Sequence, residues 1–181
     1  EDSCPEGVVG WTSTLFDHDG DGCHDLQEDD DDDNDQIPDT DDLCPVGMTL
    51  WFSEPASDYD SDGCHDVAED LDIDNDGVLD EADLCPRGML GWTSTPLNDW
   101  DSDGCQDNFE DNDDDNDGLS DWSDDCIRSA FSPQAHVDAD GDGCDDNIED
   151  NDLDNDGIES AYDNCENDPS SEWVSTLATD Y

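Results

Sequence analysis

Basic residues are almost absent from this chain: Arg87 and Arg128 stand alone against 59 Asp and Glu, for a formal charge of −57 on 181 residues. That excludes nucleic acid and anionic membrane surfaces as partners, since both demand positive charge. Long apolar runs are absent as well. Only 31% of residues are apolar, in short bursts with neither helical nor alternating periodicity. No run approaches transmembrane length, so no membrane insertion is expected, and there is no signal-peptide pattern. A conventional hydrophobic core is excluded, and self-repulsion opposes any compact metal-free state. Paired CxxC knuckles are missing, and His18, His24, His65 and His136 do not cluster with cysteines at zinc spacing. No N-x-[ST] acceptor occurs, which removes N-glycosylation by that signal. No Ser–His or Cys–His arrangement recurs and nothing tunes one acid apart from another, so the chain is not expected to be an enzyme.

Nine cysteines are present. In a small, core-poor chain they predict disulfides and an oxidising compartment, extracellular or at the cell surface. They also reveal a repeat. They fall at 4, 23, 44, 64, 85, 105, 126, 144 and 165. Residues 4–43, 44–84, 85–125 and 126–164 form four repeats, 165–181 begin a fifth, and 1–3 end a preceding one. From each "DGC" cysteine to the next repeat's first cysteine the interval is always 21, whereas the other interval varies between 18 and 20. A block of like charges by itself reads as disordered. A constant acidic interval, however, argues for geometric constraint.

The constraint is legible in "DWDSDGCQDNFEDNDDDNDGLSDWSDDC", residues 99–126. It contains D-x-D-x-D-G-x-x-D-x-x-E and then D-x-D-x-D-G-x-x-D-x-x-D. This is the twelve-residue calcium loop, with oxygens at positions one, three, five, seven, nine and twelve and glycine at six. Calcium takes six to eight hard oxygens, and alternate residues of a curled loop all point inward. Position seven offers its backbone carbonyl, which leaves its side chain free.

The first-type loops hold Asp17, Asp19, Asp21, Asp25 and Glu28, then Asp58, Asp60, Asp62, Asp66 and Glu69. They recur as Asp99, Asp101, Asp103, Asp107 and Glu110, and as Asp138, Asp140, Asp142, Asp146 and Glu149. The second-type loops start 14 residues later. They hold Asp31, Asp33, Asp35, Asp39 and Asp42, then Asp72, Asp74, Asp76, Asp80 and Asp83. The last two are Asp113, Asp115, Asp117, Asp121 and Asp124, and Asp152, Asp154, Asp156 and Asp163. At one to two ions per loop, roughly 8–16 calcium ions are expected. Asp29, Asp70, Asp111 and Asp150 extend the alternation and are placed to bridge neighbouring ions. Two loops depart from the pattern. Gln36 replaces glycine and Pro38 removes a donor in 31–42, which predicts a distorted loop; Ser160 stands at position nine in 152–163. These two sites are expected to be the weakest.

The second loop begins too soon after the first for the flanking helices of an EF-hand or dockerin, and the glycine-rich nonapeptide of a calcium β-roll is absent. Through "DNDGVLDEADLCP", "DNDGLSDWSDDC" and "DSDGC", over nearly its whole length, the chain resembles the thrombospondin type 3 repeat. The resemblance implies an irregular fold with little regular secondary structure, an elongated array wrapped around a row of calcium ions and stapled by disulfides. It also implies that each "CP" cysteine, or its equivalent, pairs with the next cysteine: Cys4–Cys23, Cys44–Cys64, Cys85–Cys105 and Cys126–Cys144. Cys165 is then left for a partner outside the segment. The alternative register, from Cys23–Cys44 onward, strands Cys4 instead. The "GWTST"-type inserts and the glutamate at position twelve depart from the family.

Trp11, Trp51, Trp92 and, one residue later, Trp173 recur in these inserts. Each either packs locally on its disulfide and on Val8, Met48 or Met89, or forms a repeated contact surface. Thr12, Ser13, Thr14, Thr93, Ser94 and Thr95 are candidate O-glycan acceptors. Asp2 matches Asp83, and Asp180 matches Asp58, as though a site were cut at each end, so a longer array is expected. The leading functional expectation is an extracellular calcium-stiffened stalk, spacer or filament, self-assembled into fibres or attached to a larger extracellular protein. Adhesion through the Trp/Thr inserts is the alternative, followed by calcium storage or mineral nucleation.

Overall fold

The structure, a computed structural model, describes residues 3–129 and 137–163. The expectations for Asp2, His136, Cys165, Trp173, Asp180 and the fifth repeat lie outside the described residues. Among the described residues the one regular element is α1, Ser13–Phe16, a single helical turn, and there is no strand. The irregular, disulfide-stapled fold is as expected. Nor is any described helix long and apolar enough to cross a membrane.

The usual distribution of residue types is inverted. The buried apolar side chains are Cys23, Trp51, Cys64, Cys105 and Cys144, whereas Val9, Leu50, Val67, Leu97 and Trp122 are each more than four-fifths exposed. Meanwhile Asp33, Asp35, Asp58, Asp76 and Asp99 are completely buried. Carboxylates occupy the interior, where ionised groups normally appear only when paired or bound to metal.

The chain divides into two compact units, Glu1–Ser94 and Thr95–Tyr181, with the division inside the third repeat. The first contains loops 17–28, 31–42, 58–69 and 72–83 with disulfides Cys4–Cys23 and Cys44–Cys64. The second contains loops 99–110, 113–124, 138–149 and 152–163 with disulfide Cys126–Cys144. Cys85 and Cys105 are also disulfide-bonded. The bridges Cys4–Cys23, Cys44–Cys64 and Cys126–Cys144 span 18–20 residues, which is the variable interval and the register implied by the family resemblance.

Local hydrogen bonds explain why each loop closes. In all eight, the position-nine N–H donates to the carbonyl of the residue before position one, from Asp25 to Phe16 (3.1 Å) through Ser160 to Asn151 (2.7 Å). The position-six N–H donates to the position-one carboxylate, as Gly77 does to Asp72 at 3.1 Å and Gly118 to Asp113 at 3.1 Å. The position-seven N–H then donates to the position-five carboxylate, as Val78 does to Asp76 at 2.7 Å. These bonds turn the backbone tightly enough to hold positions one, three and five on one side.

Because position seven projects its side chain out of the loop, cysteine there is free to form the disulfide. In the first unit, Cys64 reaches Cys44 just beyond the preceding loop, and the Leu43 N–H donates to the Asp62 carbonyl at 2.8 Å. In the second, Cys144 reaches Cys126, and the Asp125 N–H donates to the Asp142 carbonyl at 2.9 Å. Each junction therefore docks the end of one loop against the start of the next.

Candidate metal centres

All 39 ligands read from the loop pattern are buried or half-buried. Of the acids outside that pattern, Glu6, Asp30, Asp41, Glu54, Glu81, Asp125 and Glu159 are exposed, whereas Asp32, Asp114 and Asp145 are buried. Three sets come together at positions one, three and five: Asp17, Asp19 and Asp21; Asp31, Asp33 and Asp35; Asp58, Asp60 and Asp62. Within each set, one oxygen per residue lies within 4.8 Å of the others, close enough to share one ion.

The second-type loops show what such an ion would satisfy. The Oδ2 of Asp31, Asp72, Asp113 and Asp152 accepts the position-six N–H at 2.9–3.1 Å, while Oδ1 of each is buried without a hydrogen-bond partner. Two residues earlier, Oδ1 of Asp29, Asp70, Asp111 and Asp150 accepts the position-one N–H at 2.7–3.2 Å, while Oδ2 is likewise buried and unpartnered. The same two orphan oxygens recur four times. A buried unpaired carboxylate oxygen is costly, and in an all-oxygen site a hard cation is the partner that fits. The acid before each second loop, read from sequence as a bridging extra, is as regular as the loop ligands themselves.

These groups resist ionisation while no cation is bound. Burial raises the Asp29, Asp35 and Asp60 carboxyls to about 6 and the Asp42, Asp101 and Asp140 carboxyls to about 7, and repulsion from neighbouring carboxylates adds to it. Asp138 is the exception. Burial pushes it up, but the N–H groups of Gly141, Gly143 and Asp142 together outweigh that and hold it below its ordinary value.

The distortion expected in loop 31–42 is absent. Gln36 takes φ 85°, in the left-handed region where the position-six glycines lie, and its N–H still donates to Asp31 at 3.1 Å. Neighbouring bonds therefore impose the turn on a residue that disfavours it. Pro38 does no damage either, because its carbonyl accepts the N–H groups of Asp41 and Asp42 at 2.8 and 3.1 Å. Ser160 likewise keeps the local geometry: its Oγ accepts the Leu153 N–H at 3.1 Å, where Asp39, Asp80 and Asp121 use a carboxylate.

Four recurring contacts escaped the sequence pattern. First, the position-four asparagine of each second loop reaches back to the first. Asn75 Nδ2 donates to Asp60 at 2.5 Å and Asp62 at 3.0 Å, and Asn34, Asn116 and Asn155 make corresponding bonds. Second, position two of the first loop reaches a carbonyl 29 residues ahead: His18 Nε2 to Gly47 (2.8 Å), Tyr59 Oη to Gly88 (3.0 Å) and Trp100 Nε1 to Ser129 (3.1 Å). Third, the position-twelve glutamates are long enough to accept the Val8 N–H at 2.7 Å (Glu28) and the Met48 N–H at 3.0 Å (Glu69). Gly47 permits that approach, since a Cβ there would lie 2.9 Å from the Glu69 and Asp33 carboxylates. Fourth, the loop pattern assigns position nine to the ion, yet Asp66 and Asp107 are ion-paired with Arg87 and Arg128.

The tryptophans meet histidines rather than the expected apolar neighbours alone. Trp11 lies edge-on to His24 (5.0 Å between centroids) and Trp51 edge-on to His65 (4.8 Å). Trp11 Nε1 also donates to the Val8 carbonyl at 2.6 Å. No protein-family model matches the chain, and a comparison with characterised proteins finds no match.

Proposed function

We propose that this chain is a calcium-folded extracellular structural module, a segment of a stalk, spacer or filament in which metal replaces the hydrophobic core. The observation that carries this reading is the pair of buried, unpartnered carboxylate oxygens repeated in all four second-type loops. An all-oxygen donor set selects a hard cation, and the abundant extracellular one is calcium. Disulfides support an oxidising compartment. The thrombospondin type 3 resemblance supports the wire-like arrangement, with roughly 8–16 ions along it.

Calcium supplies positive charge and coordination; the protein positions its carboxylates through the loop hydrogen bonds and prevents unravelling at the cysteines. Chelation under non-reducing conditions tests this directly. Loss of compactness by X-ray scattering and a gain in protease sensitivity, with disulfides intact, are expected. Identical scattering curves and digestion patterns in calcium and in chelator would refute it.

A second reading, adhesion or lateral assembly through the inserts, is favoured by the exposure of Leu50 (96%) and Phe52 (59%) beside the buried Trp51. Replacing Leu50 and Phe52 by serine leaves a spacer's length unchanged but abolishes a contact. Retention of all binding or assembly in that variant would remove this reading.

A further inference from the structure

Arg128, near the start of the fourth repeat, sits between the two loops of the third. Arg128 donates through Nε to Asp114 at 2.9 Å and through a terminal nitrogen to Asp107. Asp107 is position nine of loop 99–110, and Asp114 is position two of loop 113–124. Arg87, in the third repeat, pairs with the equivalent Asp66 of the second, its guanidinium carbon 5.5 Å from the Tyr59 ring centroid; position two of loop 72–83 is Ile73. Each arginine follows its position-nine aspartate by 21 residues. In the first repeat the same interval from Asp25 arrives at Val46.

The first repeat thus carries the acids of the third without the base. Asp25, Asp29 and Asp32 correspond to Asp107, Asp111 and Asp114. Carboxylate oxygens of the three lie within 4.8 Å of one another. Asp32 is only 8% exposed, and its Oδ1 is buried without a hydrogen-bond partner. An open cleft of about 420 Å³, lined in part by Ser13, Thr14, His18 and Val46, reaches Asp25 of this cluster. The nearby groups are already committed: His18 Nε2 to the Gly47 carbonyl, and Asp39 Oδ1 to the Asp32 N–H.

We infer that Asp32 completes a further cation site with the loop ligand Asp25 and the bridging acid Asp29, beside the loop centres and sharing those two residues with them, which takes a hard divalent ion where Asp66 and Asp107 hold a guanidinium. Three carboxylates carry more charge than one guanidinium neutralises, and their oxygens suit an ion of the calcium class. The identity of the ion rests on the calcium reading of the loops; the existence of the site rests on the substitution of Val46 for arginine.

Native mass spectrometry of the full chain in calcium tests the inference by counting ions. Asp32→Asn and Val46→Arg are each expected to lose one ion relative to the parent chain. Arg128→Met is expected to gain one, held by Asp107, Asp111 and Asp114. Val46 is 59% exposed, so its replacement tests the site without disturbing the interior. Equal counts in the parent and in Val46→Arg would overturn the inference while leaving the loop reading intact. A parent chain that binds no calcium would overturn both.

Discussion

The Asn75 amide lies 3.0 Å from the Asp62 carboxylate, thirteen residues earlier and in a different loop. This bond, with its partner to Asp60, joins the two loops of a repeat at the carboxylates of the first. An amide donor there offsets part of the repulsion between those carboxylates and couples the two loops. Asn75 adopts φ 54°, a conformation that asparagine tolerates better than most residues.

Asn75→Ala is therefore expected to weaken the coupling, by about 1.5–3 kcal/mol for hydrogen bonds to charged groups. Calcium titration followed by circular dichroism should show a shallower, right-shifted transition. An unchanged midpoint and slope would show that the loops fold independently.

Gln36 pays a conformational cost that its glycine counterparts avoid, on the order of 1 kcal/mol for a non-glycine residue in this region. Gln36→Gly should raise thermal stability in calcium by several tenths to 1 kcal/mol, once the greater freedom of glycine in the unfolded chain is counted. The reverse change, Gly77→Gln, should lower it. Opposite signs in differential scanning calorimetry would contradict the strain argument.

Protonation should imitate metal. The folded, metal-free chain holds Asp29, Asp35 and Asp60 at about 6 and Asp42 and Asp101 at about 7, against an ordinary 3.8, with burial the main cause. Raised folded values mean that the folded state binds protons more tightly than the unfolded one. Stabilisation from these groups is complete below about 4 and is lost as the pH rises through 6 to 7. In chelator, scattering should report compaction on acidification from pH 8 to 4; in calcium, compactness should persist at pH 8. Expansion of the chelated chain on acidification would have the wrong sign.

Tyr59→Phe removes the phenol that donates to the Gly88 carbonyl at 3.0 Å while keeping the ring under Arg87. A loss of about 0.5–1.5 kcal/mol is expected. Hydrogen exchange should report it as faster exchange in the 85–90 turn, and equal protection in both proteins would show the bond to be idle.

Much of this fold was legible because the loop pattern is local. Asp at alternate positions with glycine at six in seven of the eight marks the loops, and their pattern acids are all covered, although Asp32, Asp114 and Asp145, which the pattern leaves out, are buried as well. Long-range contacts were hidden for two physical reasons. An imidazole, a phenol and an indole share one task at His18, Tyr59 and Trp100, so no residue type marks that position. Gln36 was misread because propensity forbids what its neighbours' hydrogen bonds enforce. By contrast, the asparagines at position four do recur in every second loop and in no first loop. That signal was available, but the loop pattern assigns the position no ligand.

The disulfides also decide where the chain can stretch. Tension entering at Cys4 crosses directly to Cys23, and tension reaching Cys44 crosses directly to Cys64. The tryptophan inserts and the first half of each first-type loop are bypassed and carry no load. Force must pass through residues 24–43, which contain the whole of loop 31–42. On the calcium reading proposed above, a bound cation would hold that interval as a short link. Without one, the same interval would lengthen toward about 70 Å at 3.3–3.6 Å per residue. The second-type loops would then be the mechanical fuses of such an array, yielding at a force set by the free cation concentration.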